Sequence, residues 1–331
     1  MLRRSTRSLG VLAAVVAFGT LTAGCGGPAK TAASSTQSNG RAGLKIIMVT
    51  HGQAADPYWS VVKRGADDAA RDLGVSFSYQ APQTFDIPQM QAMIKTAIAQ
   101  KPAGIAVTIT DTAAIGPLMK EAEAAGIPVI SLDTGEDVAF KYGALTHVGA
   151  DQHELAMLAG ERLSSEGSRK VLCLNHEQGN SSLDVRCRGL KDGLKKSGGS
   201  MVELAISPND PTDSAQRIQA ALSKDPLIDG MLALGPVGAT PMLQAAAKAG
   251  FKGKASSFDL SPDMLEAIIA GKMDFAIDSQ QYLMGYLPVL YLTQFAQYGL
   301  VPTQRITPTG PAFITKENAS QVLGLTKKGV R

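Results

Sequence analysis

The chain has 331 residues, of which 44% are hydrophobic and 18% charged, with a formal charge of +3. At about 100 to 200 residues per domain this leaves room for two domains with a core each, and the composition excludes a disordered or fibrous chain. Arg3, Arg4 and Arg7 are the only charged side chains among the first 24 residues, so the remainder is neutral and offers no net attraction to nucleic acid or an acidic membrane.

In chain order, the basic stretch is followed by an apolar run from Leu9 to Leu21 and by Thr22-Ala23-Gly24-Cys25. Residues 1–24 read as an export signal, since the run is shorter than the roughly 20 residues a membrane-spanning helix needs. Small residues before a Cys resemble a bacterial lipobox, whose thiol, here Cys25, is acylated. Thr22 stands where Leu is commonest, which keeps ordinary secretion as the alternative. The lipidated Cys and the Gly-, Ala-, Ser- and Thr-rich residues after it, 25–43, would form a flexible tether at the outer face of the cytoplasmic membrane.

From Leu44 onward, short apolar runs alternate with helical patterns: LKIIMVT, a helix near Tyr58–Leu73, VSFSYQ, a helix near Pro88–Gln100, GIAVTI, a helix near Ala114–Ala125, IPVISL and THVGA. The second half repeats the theme: a helix from His153 to Ser164, KVLCLN, a helix to about Lys196, MVELAI, a helix near Ser214–Leu222, DGMLAL, a helix to Ala249, KASSF, a helix from Pro262 to Ala270 and MDFAID. This alternation predicts an α/β protein of two doubly wound parallel-sheet lobes, the second starting near Gly149. Right-handed crossovers place every strand-to-helix loop at one sheet edge, where ligands of open parallel sheets sit. Those loops carry Thr50, His51, Asp56, Tyr58, Trp59, Thr108, Thr110, Asp111, Asp133, Asp151, Asn175, His176, Asp259, Asp278 and Gln280.

An enzyme is not expected. The first turn, His51-Gly-Gln-Ala-Ala-Asp56-Pro, lacks the glycines of a dinucleotide loop, and Gly235-Pro-Val-Gly238 is only a fragment of one. There is no nucleophile elbow and no P-loop Lys, and His153-Glu154 lacks a second His at metalloprotease spacing. Asp133 and Asp259 would suit a glycosidase only at a separation that sequence does not give. No cofactor is expected, nor a metal site, since His51, His147, His153 and His176 show no ligand spacing with the cysteines. Cys173 and Cys187 read either as a disulfide of an exported protein or as two separately buried thiols.

The loop chemistry suits an uncharged polyol, which is already well solvated and has to be offered a dense set of fixed donors and acceptors plus a flat apolar face. Hydroxyl-to-carboxylate bonds are the stronger kind, and they discriminate because a missing hydroxyl leaves a buried charge unpaired. Tyr58 and Trp59 beside Asp56 supply the apolar face, the alternative for Trp59 being a core position in the first helix.

At these residues the chain resembles the periplasmic sugar-binding proteins of ABC importers, the ribose-binding type within the type I fold shared with LacI-family repressors. The resemblance covers nearly all of residues 44 to 320. It rests on Asp56-Pro-Tyr-Trp59, Ser131-Leu-Asp133, Val148-Gly-Ala-Asp151-Gln152, Arg186-x-x-Gly189-Leu190, Ser257-Phe-Asp259 and Asp278-Ser-Gln280-Gln-Tyr-Leu-Met-Gly285-Tyr286. It implies two lobes joined by a three-segment hinge near Val148–Asp151, Asp278–Gln281 and Gln304–Pro308. The first lobe would take 44–149 plus 280–305 and the second 150–279 plus 306–331.

By position, the resemblance implies that Asp56, Tyr58, Trp59, Thr108 and Asp133 face the ligand from the first lobe, and Arg186, Gly235 and Asp259 from the second. Asp278 and Gln280 join them, and His51, Asn175 and His176 are further candidates. Arg188 competes with Arg186 for the alignment. Gly235 and Thr108 stand where the ribose-binding pattern has Asn, Ser279 where it has Gln and Asp56 where it has Asn. These departures turn the expectation from ribose toward another pentose, a hexose or a linear polyol. The resemblance further implies a monomer that closes on its ligand and presents it to permease subunits, with no nucleic-acid partner. A receptor for an autoinducer or nucleoside, or a ligand presenter to a membrane sensor, is the alternative on the same fold. A transcription regulator is set aside by the signal at the N-terminus, where a helix-turn-helix would stand.

Overall fold

The computed structural model describes residues 40–52 and 56–331; the signal, Cys25 and most of the tether lie outside the described residues. The first half runs β1 (Lys45–Val49), α1 (Pro57–Leu73), β2 (Ser76–Gln80), α2 (Ile87–Ala99), β3 (Gly104–Val107), α3 (Thr112–Ala124), β4 (Val129–Leu132) and β5 (Ala144–Gly149). The second runs α4 (Gln152–Ser165), β6 (Lys170–Asn175), α5 (Ser181–Lys195), β7 (Ser200–Ala205), α6 (Pro211–Lys224), β8 (Gly230–Ala233), α7 (Pro236–Ala249), β9 (Lys254–Phe258), α8 (Pro262–Ile269) and β10 (Phe275–Asp278). The chain then adds α9 (Gln281–Tyr298), β11 (Ile306–Pro308), β12 (Ala312–Thr315) and α10 (Ala319–Thr326).

Two six-stranded sheets result, ordered β11-β5-β4-β3-β1-β2 and β12-β10-β9-β8-β6-β7. Their central strands are apolar on both faces because helices cover both: Ile46, Ile47, Met48 and Val49 of β1 are all fully buried. Asp or Asn side chains cap most of the helices at the same sheet edge, among them Asp56, Asp111, Asp151 and Asn180, each accepting a backbone N–H of the first turn.

The last third departs from the sequence expectation. β12 runs antiparallel to β10, so the second sheet is not wholly parallel. β11 pairs with β5, which moves residues 306–308 from the second lobe to the first and the third crossing from Gln304–Pro308 to Thr309–Pro311. Two strands of three and four residues are too short to show a period. α9 carries apolar residues around its whole circumference and Pro288 within it, so it shows no amphipathic stripe either.

The chain crosses between lobes at Ala150–Asp151, Ser279–Gln280 and Thr309–Pro311. The three crossings touch: Thr309 N–H donates to the Gly149 carbonyl at 3.2 Å, and a Cβ on Gly310 would lie 2.9 Å from the Asp278 carbonyl. Cys173 on β6 and Cys187 on α5 form a disulfide with a Cα separation of 6.0 Å, which ties helix to strand in the second lobe.

Candidate functional site

A cavity lies between the carboxyl ends of the two sheets, where ligands of open parallel sheets sit. The first lobe contributes His51, Asp56, Tyr58, Trp59, Asp133 and Thr134. From the second come His176, Glu177, Asn180, Ser182, Arg186, Gly235 and Asp259, with Leu183, Leu234 and Pro236 as apolar wall. The lobes meet around it, Ser181 N–H and Oγ donating to the Thr110 carbonyl at 3.1 and 2.8 Å.

The two lobes build this site by the same device. Asp133 follows β4 and Asp259 follows β9, and both hold φ at 63°, a left-handed conformation uncommon for a non-glycine residue. That turn brings each carboxylate over the sheet edge. Backbone strain of this kind concentrates where the surrounding structure and function require it.

On the first lobe, Asp56 accepts the Tyr58 N–H at 2.9 Å as the α1 cap, and Tyr58 OH donates to Asp133 Oδ1 at 2.6 Å. The Trp59 indole sits edge-on to His51 and Tyr58, with centroids 4.7 and 4.9 Å away. It lies flat on the loop because residue 52 is Gly: a Cβ there would fall 2.1 Å from the ring. Trp59 is thus both cavity wall and core, which joins the two readings of it.

On the second lobe, Arg186 is only 4% exposed; Nε donates to Gln152 Oε1 and Nη1 to the Leu234 carbonyl, each at 2.8 Å. Nη1 also stands 3.6 Å from Asp259 Oδ2, and the guanidinium carbon lies 4.3 Å from the Phe258 ring centroid. Arg188 is exposed, so Arg186 is the arginine at the cavity. Ser279 Oγ donates to Asp259 Oδ1. Asn180 Nδ2 donates to Glu177 Oε2 at 2.8 Å and reaches across the cleft to His51 Nε2 at 3.4 Å.

Burial dominates the electrostatics. It pushes Asp56 up to about 6 and Glu177 and Asp259 up to about 7, and raises Asp133 as well. His51 and His176 are pushed down to about 3, by burial first and then by neighbouring positive groups, Arg186 in both cases. They are neutral at ordinary pH, so the 3.6 Å approach of His51 to Glu177 is not an ion pair.

Four expected residues are not at the cavity. Thr108 stands behind His51, its Oγ1 taking the His51 N–H at 3.1 Å and meeting Nδ1 at 2.9 Å. Asn175 spends its amide on Asp184 and Glu203 and its oxygen on the Glu177 N–H, shaping the loop. Asp278 takes the Gln280 N–H at 2.8 Å and Arg331 Nε at 2.6 Å, and Gln280 is the turn residue of the second crossing. Sequence reasoning missed Thr134, Glu177, Asn180 and Ser182. The first adjoins Asp133; Glu177 and Asn180 lie in the β6–α5 loop and Ser182 in the first turn of α5, where a Glu one residue after His176 and an Asn at a helix cap were available signals. At Gly235, a Cβ would lie 3.0 Å from His176 Cε1, so the His176 ring fills the space where the ribose-binding pattern places an Asn side chain.

Comparison with known proteins accords with this geometry. A solved carbohydrate transporter of Acidothermus cellulolyticus, in complex with myo-inositol, is 34% identical with a TM-score of 0.83, covering 87% of this chain and 99% of that one. An ABC sugar transporter of Legionella pneumophila, a periplasmic sugar-binding protein, is 28% identical with a TM-score of 0.75, covering 81% and 99%. The xylose/arabinose-binding protein of Sulfolobus acidocaldarius is 26% identical over 298 residues, 84% of this chain and 73% of that protein. Residues 46–299 match the model of the periplasmic binding protein domain, and with its two α/β lobes of the type I fold the chain belongs to the periplasmic binding protein family.

Proposed function

We propose that the protein captures a small polyhydroxylated solute, a sugar or polyol, between its lobes and hands it to an ABC importer, with no bond made or broken. The observation that carries this reading is the set of half-used carboxylates. Asp56, Asp133 and Glu177 each give one oxygen to a protein donor, and no donor among the described residues reaches the other. Free carboxylate oxygens on both lobes, with unpartnered Thr134 Oγ1, Ser182 Oγ and His176 Nδ1 beside them, match a ligand rich in hydroxyl groups. The myo-inositol of the Acidothermus structure supports including cyclitols among the candidates.

A ligand touching both walls favours the closed arrangement by its differential affinity, and the closed form is the one a permease pair would recognise. Acylation at Cys25, outside the described residues, would hold this monomeric carrier at the outer face of the cytoplasmic membrane. The test is a thermal-shift screen of pentoses, hexoses, linear polyols and inositols. At least one should raise the melting temperature, by mass action on the folded state. Asp133→Asn and Asp259→Asn, chosen because Asn tolerates a positive φ, should abolish the shift while the protein stays folded, whereas Asp111→Ala should keep it. Retained binding in both Asn variants would reject the site.

A further inference from the structure

We propose that the cavity is built to prefer a polyhydroxylated ligand that also carries one protonated amine, an amino sugar or an aminocyclitol. This rests on the proposed capture of a sugar-sized solute and specifies its chemistry. The charge inventory of the walls leads to it. Four carboxylates, Asp56, Asp133, Glu177 and Asp259, line the cavity, and among the described lining residues Arg186 is the only permanent cation.

Arg186 stands 3.6 Å from Asp259, and its charge also lowers Asp133 and Glu177, so a single cation serves three carboxylates. Its Nε and Nη1 are held by Gln152 and the Leu234 carbonyl. The two histidines are neutral and add no charge. Asp56, Asp133 and Glu177 face one cavity without a cationic side chain within salt-bridge distance among the described residues. Asp56 and Asp133 both raise Glu177, and Asp133 raises Asp56, which is mutual repulsion across that volume. The donors they do have, Tyr58 N–H, Tyr58 OH and the Asn180 amide, are uncharged.

Buried carboxylates without a partner either take up protons or acquire a cation. A hydroxyl donates one hydrogen bond and brings no charge. An ammonium donates three and brings a positive charge to a wall that has one permanent cation for four carboxylates. The unpartnered Thr134 and Ser182 hydroxyls and His176 Nδ1 then remain for the ligand's own hydroxyls, which is why the expected ligand is an amino derivative of a polyol and not a simple amine.

Binding is measured calorimetrically on the full chain at pH 7.5, with probes in pairs: D-glucose and D-glucosamine, D-galactose and D-galactosamine, scyllo-inositol and scyllo-inosamine. In at least one pair the amine should bind tenfold or more tightly than its neutral parent. Neutral parents should bind with net proton uptake, seen as heat that varies with the buffer's ionisation enthalpy; the amine should take up fewer protons. In Asp56→Asn and Glu177→Gln, each checked for folding by circular dichroism, the amine-to-neutral affinity ratio should fall toward one. If neutral sugars or polyols bind while no amine binds more tightly, this inference is overturned and the sugar-capture reading stands. A preference that survives in both variants also overturns it. Loss of all binding by both members of every pair, together with a negative thermal-shift screen, would reject both.

Discussion

Asp133, Glu177 and Asp259, the carboxylates proposed to meet the ligand, are costly to bury. Their folded pKa values lie above those of free carboxyl groups, with Glu177 and Asp259 at about 7, and Glu136 is pushed to about 7 too, all chiefly by burial. From about pH 4.5 to 7 the folded chain keeps protons that the unfolded chain has lost, so these groups make stability fall as pH rises through that range. The buried His51, His147 and His176, at about 3, act the other way: the unfolded chain binds the protons, and stability falls as pH drops below about 6.5. Above pH 6.5 the histidine contribution fades, gone by about pH 7.5, and the carboxylates outweigh it. The melting temperature of the ligand-free protein should therefore decline between pH 6.5 and 8, with a shallower slope in Asp259→Asn. A melting temperature that rises over that interval would contradict the burial assigned to these groups.

Elements carry the site by the precision of their packing. α1 presents Asp56, Tyr58 and Trp59 from its first turn, and its placement depends on α9, against which it lies backbone to backbone. A Cβ on Gly65 would fall 2.0 Å from the Tyr282 carbonyl oxygen, and one on Gly285 would fall 1.8 Å from that of Val62. Main chain cannot yield as a flexible side chain does, so Gly65→Ala or Gly285→Ala has to separate the helices. Overpacking of this kind costs about 1 to 3 kcal/mol or more, measurable by urea unfolding, and should weaken ligand binding as well by shifting Tyr58 and Trp59. Wild-type stability in both variants would show that the helices do not approach this closely. The amphipathic helices and buried strands up to β10 are readable because their periods, 3.6 and continuous apolar, are local properties. α9, β11 and β12 are not, since an all-round apolar helix and three- or four-residue strands acquire their identity from what they pack against.

At the scale of the molecule, the two lobes repeat one plan. β1 and β6 occupy equivalent places in their sheets, and each leads after six residues from its lysine to a cavity histidine, Lys45 to His51 and Lys170 to His176. β4 and β9 likewise are each followed by an Asp at φ 63°. Among the described residues, the polar contacts between the lobes beyond the crossings themselves are few, Ser181 to Thr110, Asn180 to His51, and Gln152 to Glu136 and the Asp133 carbonyl, which would let a ligand tip the balance between open and closed. Small-angle scattering should show a smaller radius of gyration when a sugar or polyol that raises the melting temperature is added at saturation. Unchanged dimensions would count against closure as the response to binding.

The sequence by itself determined the α/β class, the two-lobed alternation and the edge at which the polar loops gather, because these follow from hydrophobic period and the handedness of crossovers. It also pointed to Asp56, Tyr58, Trp59, Asp133, Arg186 and Asp259 through motifs in a recognisable order. Only the tertiary structure decided which loop residues turn inward: Thr108, Asn175 and Asp278 are the same residue types as their cavity-lining neighbours, but backbone and side-chain partners from distant segments claim their polar atoms first. The same reason hid Glu177 and Asn180. Their meaning comes from facing His51 across a cleft, at sequence separations of 126 and 129, and no local pattern records that distance.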